Sequence, residues 1–463
     1  MNFKTLSLAM ALGLCSLSAQ TFAHTHSDKN NSFVGSVKLK NYQEQMKMIQ
    51  GLDIDIAGVD RKNNIVDLLL TKEEVSKLEA MGLHVEIDFS KLDRKGLDDD
   101  YKSPSEIEDI LKNTEKNFSH IAKVHVIGRS SEGREIYALK ISDNPELNEE
   151  SEPAILFNSM HHAREVMSPE VSLDIIEQLT KNYNSDEKIK HYVNNNQIWI
   201  VPMLNVDGNQ KVWDGSRMWR KNTNYGHGVD INRNYPYKWG TCRGSSASTW
   251  SDTYRGPTAG SEPETQALMN LVKNIRPVFD ISYHSYSEIV IYPMGCNGER
   301  AQTKDIIEPI GKEIGDLIGY EAGTAWELLY SVDGSDIDWM YNEYQVIPYV
   351  IEVNSRAQGF QPSYAKWRDK TVERNRPAWL RLLSRLDGPG VRGTITSTEN
   401  IQDTTIEVTK INGEKVQDYR VNPTGGFHIV LNKGEYKLTV KNKNEVLSVK
   451  TISIENERMN ITL

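Results

Sequence analysis

Two adjacent histidines, an arginine and a glutamate follow an apolar run, Ala154 to Met160, in the stretch HHARE at residues 161 to 165. His162 and Glu165 lie three positions apart and offer an imidazole nitrogen and a carboxylate oxygen. Those are donors that zinc takes, and a catalytic zinc keeps three protein ligands with a fourth position open. A His-x-x-Glu pair on its own is equally at home in a solvated loop, so a third donor must come from elsewhere. DISYHSYSEIV supplies one in His284, where an apolar strand gives way to polar residues. Other stretches place Arg220 (RMWRKN), Asn232 and Arg233 (VDINRNY), Tyr330 (LYSVDGSDIDW) and Glu352 (VIEVN) where they could converge on the same cleft. Singly, each has an ordinary structural reading as a surface charge, a turn or a packed ring. Glu352 is the exception. It follows Tyr349, Val350 and Ile351 in what reads as a buried strand, and a buried carboxylate is costly unless paired or functional.

The elements that must position these groups run from residue 101 to 387. Apolar strands AILFNSM, QIWIVPMLN, PVFDISYHSY, EIVIYP and IPYVIEV alternate with helices. Near-continuous apolar strands between helices predict an α/β domain whose sheet is covered by helices on both faces. In such sheets ligands sit beyond the carboxyl ends of strands, which is where His162 and Glu165 fall. Helix starts are expected at Ser103 with Glu106, at Ser168 with Pro169, and at Ser261 with Pro263 and Glu264.

Residues 33–93 read as strand, helix, strand, strand, helix, strand, with a capping box at Thr71 and Glu74, a split βαβ or ferredoxin-like order. A charged linker, 94–100, starts with Arg94 and Lys95 and is open to a trypsin-like protease. Residues 389–463 carry short alternating strands between Asn-Gly, Gly-Gly and Lys-Gly turns, the texture of a small β-sandwich.

A chain of 463 residues exceeds one hydrophobic core, in keeping with this division. Its net charge of -10 argues against nucleic acid as a partner. Residues 1–23 have a lysine, an apolar stretch from Leu6 to Leu17 and small residues at Thr21 and Ala23, as a cleavable signal peptide does, so export to the periplasm or medium is expected. Leu14, ahead of Cys15, is too large for a lipid-attachment site. No further run is long enough to span a membrane. Export leaves Cys242 and Cys296 in an oxidising compartment, and a disulfide between them is expected.

The motifs HHARE, RMWRKN, VDINRN, YHSYS, SVDGSDIDW and VIEVN, in this order over about 285 residues, resemble the zinc carboxypeptidases typified by pancreatic carboxypeptidases A and B. The resemblance implies one zinc ion held by His162, Glu165 and His284, with His161 a bystander. It makes Glu352 the general base and Arg220 the cation that stabilises the oxyanion. Asn232, Arg233 and Tyr330 become the clamp on a substrate's terminal carboxylate, and Arg164 and Tyr286 further substrate contacts. Asp230 is placed to support a ligand histidine. The ferredoxin-like segment resembles the family's activation peptide, which would make the chain a zymogen. The final sandwich resembles the transthyretin-like domains of some secreted members.

The resemblance puts Ile337 at the floor of the specificity pocket and Ala325 in its wall, favouring an apolar C-terminal residue. Asp336, next door, leaves a basic one open unless it only caps a helix. The implied partners are peptide or protein C-termini and an activating protease at the linker, acting on a monomer. Two other readings stay open: a murein-peptide or polyglutamate amidase on the same fold, and a metal-free binding protein. The first should alter the carboxylate clamp and the second should lose a ligand or the base, yet all of these residues are present.

Overall fold

The computed structural model describes residues 32–87, 97–395, 401–443 and 445–463. The signal segment, Cys15, and Arg94 and Lys95 of the linker lie outside the described residues.

The first unit contains β1 (Phe33–Lys38), α1 (Tyr42–Gly51), β2 (Asp55–Asp60), β3 (Ile65–Leu70), α2 (Lys72–Ala80) and β4 (Val85–Ile87). Its strands pair antiparallel in the order β2-β3-β1-β4, a split βαβ topology. Helix α2 opens on the Thr71–Glu74 capping box read from the sequence.

The central unit runs α3 (Pro104–Asn117), β5 (Ala122–Arg129), β6 (Glu135–Ile141), β7 (Ala154–Ser159), α4 (Met167–Lys181), α5 (Glu187–Asn195), β8 (Gln197–Val201), α6 (Val206–Trp213), α7 (Pro263–Ile275), β9 (Phe279–Ser285), β10 (Ile289–Tyr292), α8 (Lys304–Ile318), β11 (Glu321–Thr324), α9 (Ala325–Leu328), α10 (Asp336–Tyr344), β12 (Ile347–Val353) and α11 (Tyr364–Leu386). Eight strands form one mixed sheet, β11-β10-β12-β9-β7-β8-β6-β5, parallel from β12 to β8 and antiparallel where β10 meets β12 and from β8 to β5. Strands β7, β8 and β9 are buried at every residue, as their apolar runs require.

The edges of this sheet differ from the sequence reading, which names neither β5, β6 nor β11. In β5, AKVHVIGR, only Ala122 is fully buried. An antiparallel edge strand needs little apolar surface, so its hydrophobic signal is weak. Two helix starts also move. Helix α4 begins at Met167 on an uncapped Val166, and the Ser168 hydroxyl donates back to Glu165 O at 2.8 Å. Helix α7 begins at Pro263 behind Glu262 and not behind Ser261. The Ser103–Glu106 capping box of α3 is present.

The last unit is a sandwich of β13 (Gly390–Thr394), β14 (Thr404–Lys410), β15 (Lys415–Arg420), β16 (Gly426–Val430), β17 (Gly434–Asn442), β18 (Glu445–Ile454) and β19 (Arg458–Thr462), in sheets β16-β13-β19 and β15-β14-β17-β18. Its core is continuous with that of the central unit: Val391, Phe427 and Ile429 belong to the same buried cluster as Leu382 and Leu386 of α11. The first unit instead shares a cluster with Ile291, Ala325, Leu329, Val332, Ile337 and Val350 of the central unit. Cys242 and Cys296 are bonded, with their Cα atoms 5.8 Å apart. Among the described residues, no helix is long and apolar enough to cross a membrane.

Candidate active site

The turn joining β7 to α4 presents His162 and Glu165, and the carboxyl end of β9 presents His284. Strand β9 alternates, with Asp280, Ser282 and His284 on one face and Ile281 and Tyr283 on the other. His162 Nδ1 lies 2.7 Å from Glu165 Oε1, His284 Nδ1 lies 3.0 Å from Glu165 Oε2, and the two Nδ1 atoms are 3.1 Å apart. Donors around a tetrahedral zinc with bonds of about 2.0–2.1 Å stand roughly 3.3 Å from one another, so this buried triangle fits that ion. Its partners on the far side turn both Nδ1 atoms inward. His284 Nε2 is 3.3 Å from Ser282 Oγ, which donates to Asn158 Oδ1 at 3.0 Å. His162 Nε2 approaches Asp230 Oδ1 obliquely at 3.2 Å, close enough for an ion contact but outside hydrogen-bond geometry. Burial alone would raise Glu165, but the two imidazoles overcome it and hold the carboxyl well below the usual range.

His161 takes no part in the triangle. Its Nε2 meets Tyr235 Oη at 3.0 Å and its ring stacks on that of His284 at 5.5 Å between centroids. Burial pushes it down to about 4, so it is neutral at physiological pH.

Asp230 holds several groups together. Arg220 donates to Asp230 Oδ2 from Nη2 at 2.8 Å and from Nε at 3.1 Å, and Oδ1 accepts from Asn232 N at 3.0 Å. Burial would raise this carboxyl, yet Arg220 first and His162 second keep it well below the carboxylate range. Thus tethered, Arg220 turns Nη1 to within 4.0 Å of Glu165 Oε1. Glu352 pairs in register with His284 across β12 and β9, which places the two side chains on one face. It is the one residue of β12 that is not fully buried, because its side chain faces the cleft. Burial first and the Glu165 charge second raise its pKa.

One cleft brings together His162, Glu165, His284, Glu352, Arg220, Asn232, Arg233, Tyr330, Tyr286 and Ile337. Arg233 Nη2 is 3.4 Å from Tyr330 Oη. Ile291, Ala325, Leu329, Val332 and Val350 line it together with Ile337, an apolar enclosure. Asp336 does not reach it. The N-cap of α10 is Ser335, and Asp336 turns into the protein: its Oδ1 accepts from Ile337 N at 2.8 Å, and its Oδ2 lies 3.6 Å from His161 Nε2. Both expectations for Asp336, a charge in the pocket and a helix cap, are therefore corrected.

Two expected substrate contacts are occupied by the first unit. Arg164 is fully buried with its guanidinium on Asp55 of β2, Nη2 to Oδ1 being 2.8 Å, and it does not line the cleft. The Tyr286 hydroxyl donates to Asp67 of β3 at 3.2 Å. Ile56, Ala57 and Gly58 form part of the cleft wall, and a Cβ on Gly58 would lie 2.4 Å from the Tyr286 ring. The sequence reading missed Asp55 and Asp67. Nothing local sets either aspartate apart, and the partner of each, Arg164 or Tyr286, is more than 100 residues away.

An α/β sheet whose strand ends carry a His–Glu–His donor set beside a cleft carboxylate is the architecture of a mononuclear metal site with a base at hand. A zinc carboxypeptidase family model matches residues 107–377, more than half of the chain, and the chain belongs to the zinc carboxypeptidase family. A zinc carboxypeptidase of Saccharothrix mutabilis subsp. capreolus is 32% identical over 272 residues, 54% of this chain and 62% of that one. Human carboxypeptidase A6 is 31% identical over 56% of this chain and 61% of its own. The chain thus spans about three-fifths of the length of these two relatives. Rat carboxypeptidase B is 27% identical over 394 residues, 76% of this chain and 92% of its own. Carboxypeptidase A from Helicoverpa armigera shares the fold, with a TM-score of 0.66 at 24% identity over 76% of this chain and 96% of its own.

Proposed function

We propose that the chain is an exported zinc-dependent carboxypeptidase. It removes single C-terminal residues, favours apolar ones, and is held inactive by residues 33–93 until the linker is cut. The observation that carries this reading is the convergence, in one cleft, of three metal donors, the Glu352 carboxylate and the Arg233–Tyr330 pair.

His162, Glu165 and His284 would hold the ion. Bound zinc supplies Lewis acidity toward a carbonyl oxygen and brings the pKa of water from 15.7 to about 7. Glu352, on the same face as His284, takes a proton from the attacking water and passes it to the leaving amine. Arg220, oriented by Asp230, faces the oxygen on which negative charge develops, where one such donor is worth about 2.7–4 kcal/mol. Arg233, with Asn232 and Tyr330, receives the free carboxylate, for which a planar guanidinium suits bidentate binding. An internal peptide bond has no such group, hence exopeptidase action. The apolar enclosure above Ile337, with Asp336 turned away from it, supports an apolar preference over a basic one. The N-terminal unit supports the zymogen reading by occupying Arg164 and Tyr286 and walling the cleft.

The test compares wild type and Glu352→Gln after limited trypsin treatment. Both should carry one zinc per chain, and the variant should lose about 10²–10⁴-fold in kcat. Absence of stoichiometric zinc, or full turnover by the variant, would overturn the assignment.

A further inference from the structure

The clamp depends on how the Arg233 guanidinium is held, and that support runs through Asp333, a residue outside the cleft lining. Arg233 donates from Nε to Gly244 O at 3.0 Å and from Nη1 to Asn232 O at 2.7 Å. Two backbone carbonyls thus fix the plane of the guanidinium and leave Nη2 facing Tyr330. Gly244 is itself anchored. Its N–H donates to Asp333 Oδ2 at 3.0 Å, Cys242 N donates to the same oxygen at 2.9 Å, and the Ser245 hydroxyl donates to Oδ1. Asp333 is fully buried, and these three donors satisfy a carboxylate that would be costly without them.

The surrounding backbone is packed to match. A Cβ on Gly244 would lie 2.4 Å from Asp333 N, and one on Gly334, at φ +66°, would lie 2.3 Å from Arg233 O. The turn at residues 332–335 therefore grips Arg233 twice: at its carbonyl through Gly334, and at its guanidinium through Asp333 and Gly244. The Cys242–Cys296 bridge closes the circuit. Gly295, next to Cys296, accepts from Val332 N at 3.0 Å, donates to Asp338 Oδ2 at 2.9 Å and lines the cleft.

We propose that Asp333, backed by the Cys242–Cys296 bridge, is a positioning residue that orients Arg233 for the terminal carboxylate of the substrate. This rests on the carboxypeptidase reading above. Asp333 acts on carboxylate binding and leaves the zinc donors and Glu352 untouched, so its loss is read in KM and not in kcat.

The experiment uses the zinc-loaded full chain after limited trypsin treatment, as wild type, Asp333→Asn, and Cys242→Ala with Cys296→Ala. Hydrolysis of a blocked dipeptide ending in Phe is measured with inhibition by 3-phenylpropanoate. In both variants KM and the inhibition constant should rise together about tenfold, the cost of one misaligned charge-assisted hydrogen bond. Turnover should stay within about twofold of wild type, with zinc content unchanged. Added to Arg233→Ala, Asp333→Asn should cause no further loss, because both act on one interaction. Unchanged inhibition constants, a fall in kcat with loss of zinc, or full additivity with Arg233→Ala would overturn the proposal. Should Asp333→Asn not fold, the cysteine variant decides by the same readings. A wild type that neither cleaves the dipeptide nor binds 3-phenylpropanoate would fail the exopeptidase reading itself. Variants indistinguishable from an active wild type would fail only this inference.

Discussion

Asp230 serves Arg220, His162 and the Asn232 amide at once, so three parts of the cleft share one carboxylate. Asp230→Asn keeps the shape and removes the charge. Its expected effect is a lower kcat and weaker zinc retention together, since residues that orient a metal's ligands are typically worth 10–100-fold in affinity or activity. Dialysis against a chelator with activity measured in parallel checks this. Asp338 provides a separate test by pH. Burial pushes its carboxyl up to about 7 against the opposing hydrogen bond from Gly295, and the Asp336 charge adds to the rise. A folded-state pKa above the unfolded value of 3.8 favours the protonated form. Its stabilisation is complete below the unfolded value and fades as pH rises through about 7. Wild type should therefore lose more thermal stability between pH 5 and 8 than Asp338→Asn does, in parallel melting curves. The residues proposed as metal donors, base and clamp stood out in the chain because their types and order are unusual together, and the structure brings them into one cleft. Asp333 did not stand out, since nothing local marks an aspartate whose three donors sit about ninety residues earlier.

At the scale of elements, the site is a meeting of strand ends: β7 leads into the HHARE turn, β9 carries His284 near its carboxyl end and β12 carries Glu352 beside it. The buried strands were readable because full burial demands continuous apolar sequence, whereas β5 and β11 at the edges were not, because edge strands carry no such demand. Strand β2 walls the cleft with Ile56, Ala57 and Gly58 and is tied down by Asp55, whose pairing with Arg164 is buried. Removing one partner of such a pair usually costs about 3–5 kcal/mol, because the other charge is left buried. Asp55→Ala should loosen the N-terminal unit, so that the uncut chain hydrolyses substrate before any protease is added. An uncut variant as silent as uncut wild type would show that the unit is held, or the enzyme silenced, by other means.

Across the whole molecule the two flanking units meet the central one through different buried clusters. The sandwich shares a core with the central unit, and Arg385 of α11 donates to Pro389 O at 2.8 Å and Leu431 O at 3.1 Å. Ending the chain at Leu386 should expose that surface and lower solubility and melting temperature, a change seen by scanning calorimetry of the truncated and full chains. The changes in sequence texture coincide with the passage from one set of sheets to the next. Which unit fuses to the central core and which lies over the cleft was not readable from the sequence, because that depends on side chains meeting across hundreds of residues. The proposed function requires a zinc cage and a clamp for free chain ends to share one cleft. Its most direct test is hydrolysis, by the trypsin-treated chain, of a blocked dipeptide ending in Phe compared with the same peptide as its C-terminal amide. Rapid cleavage of the free acid and none of the amide is the expected result, and cleavage of the amide at a comparable rate would contradict exopeptidase action.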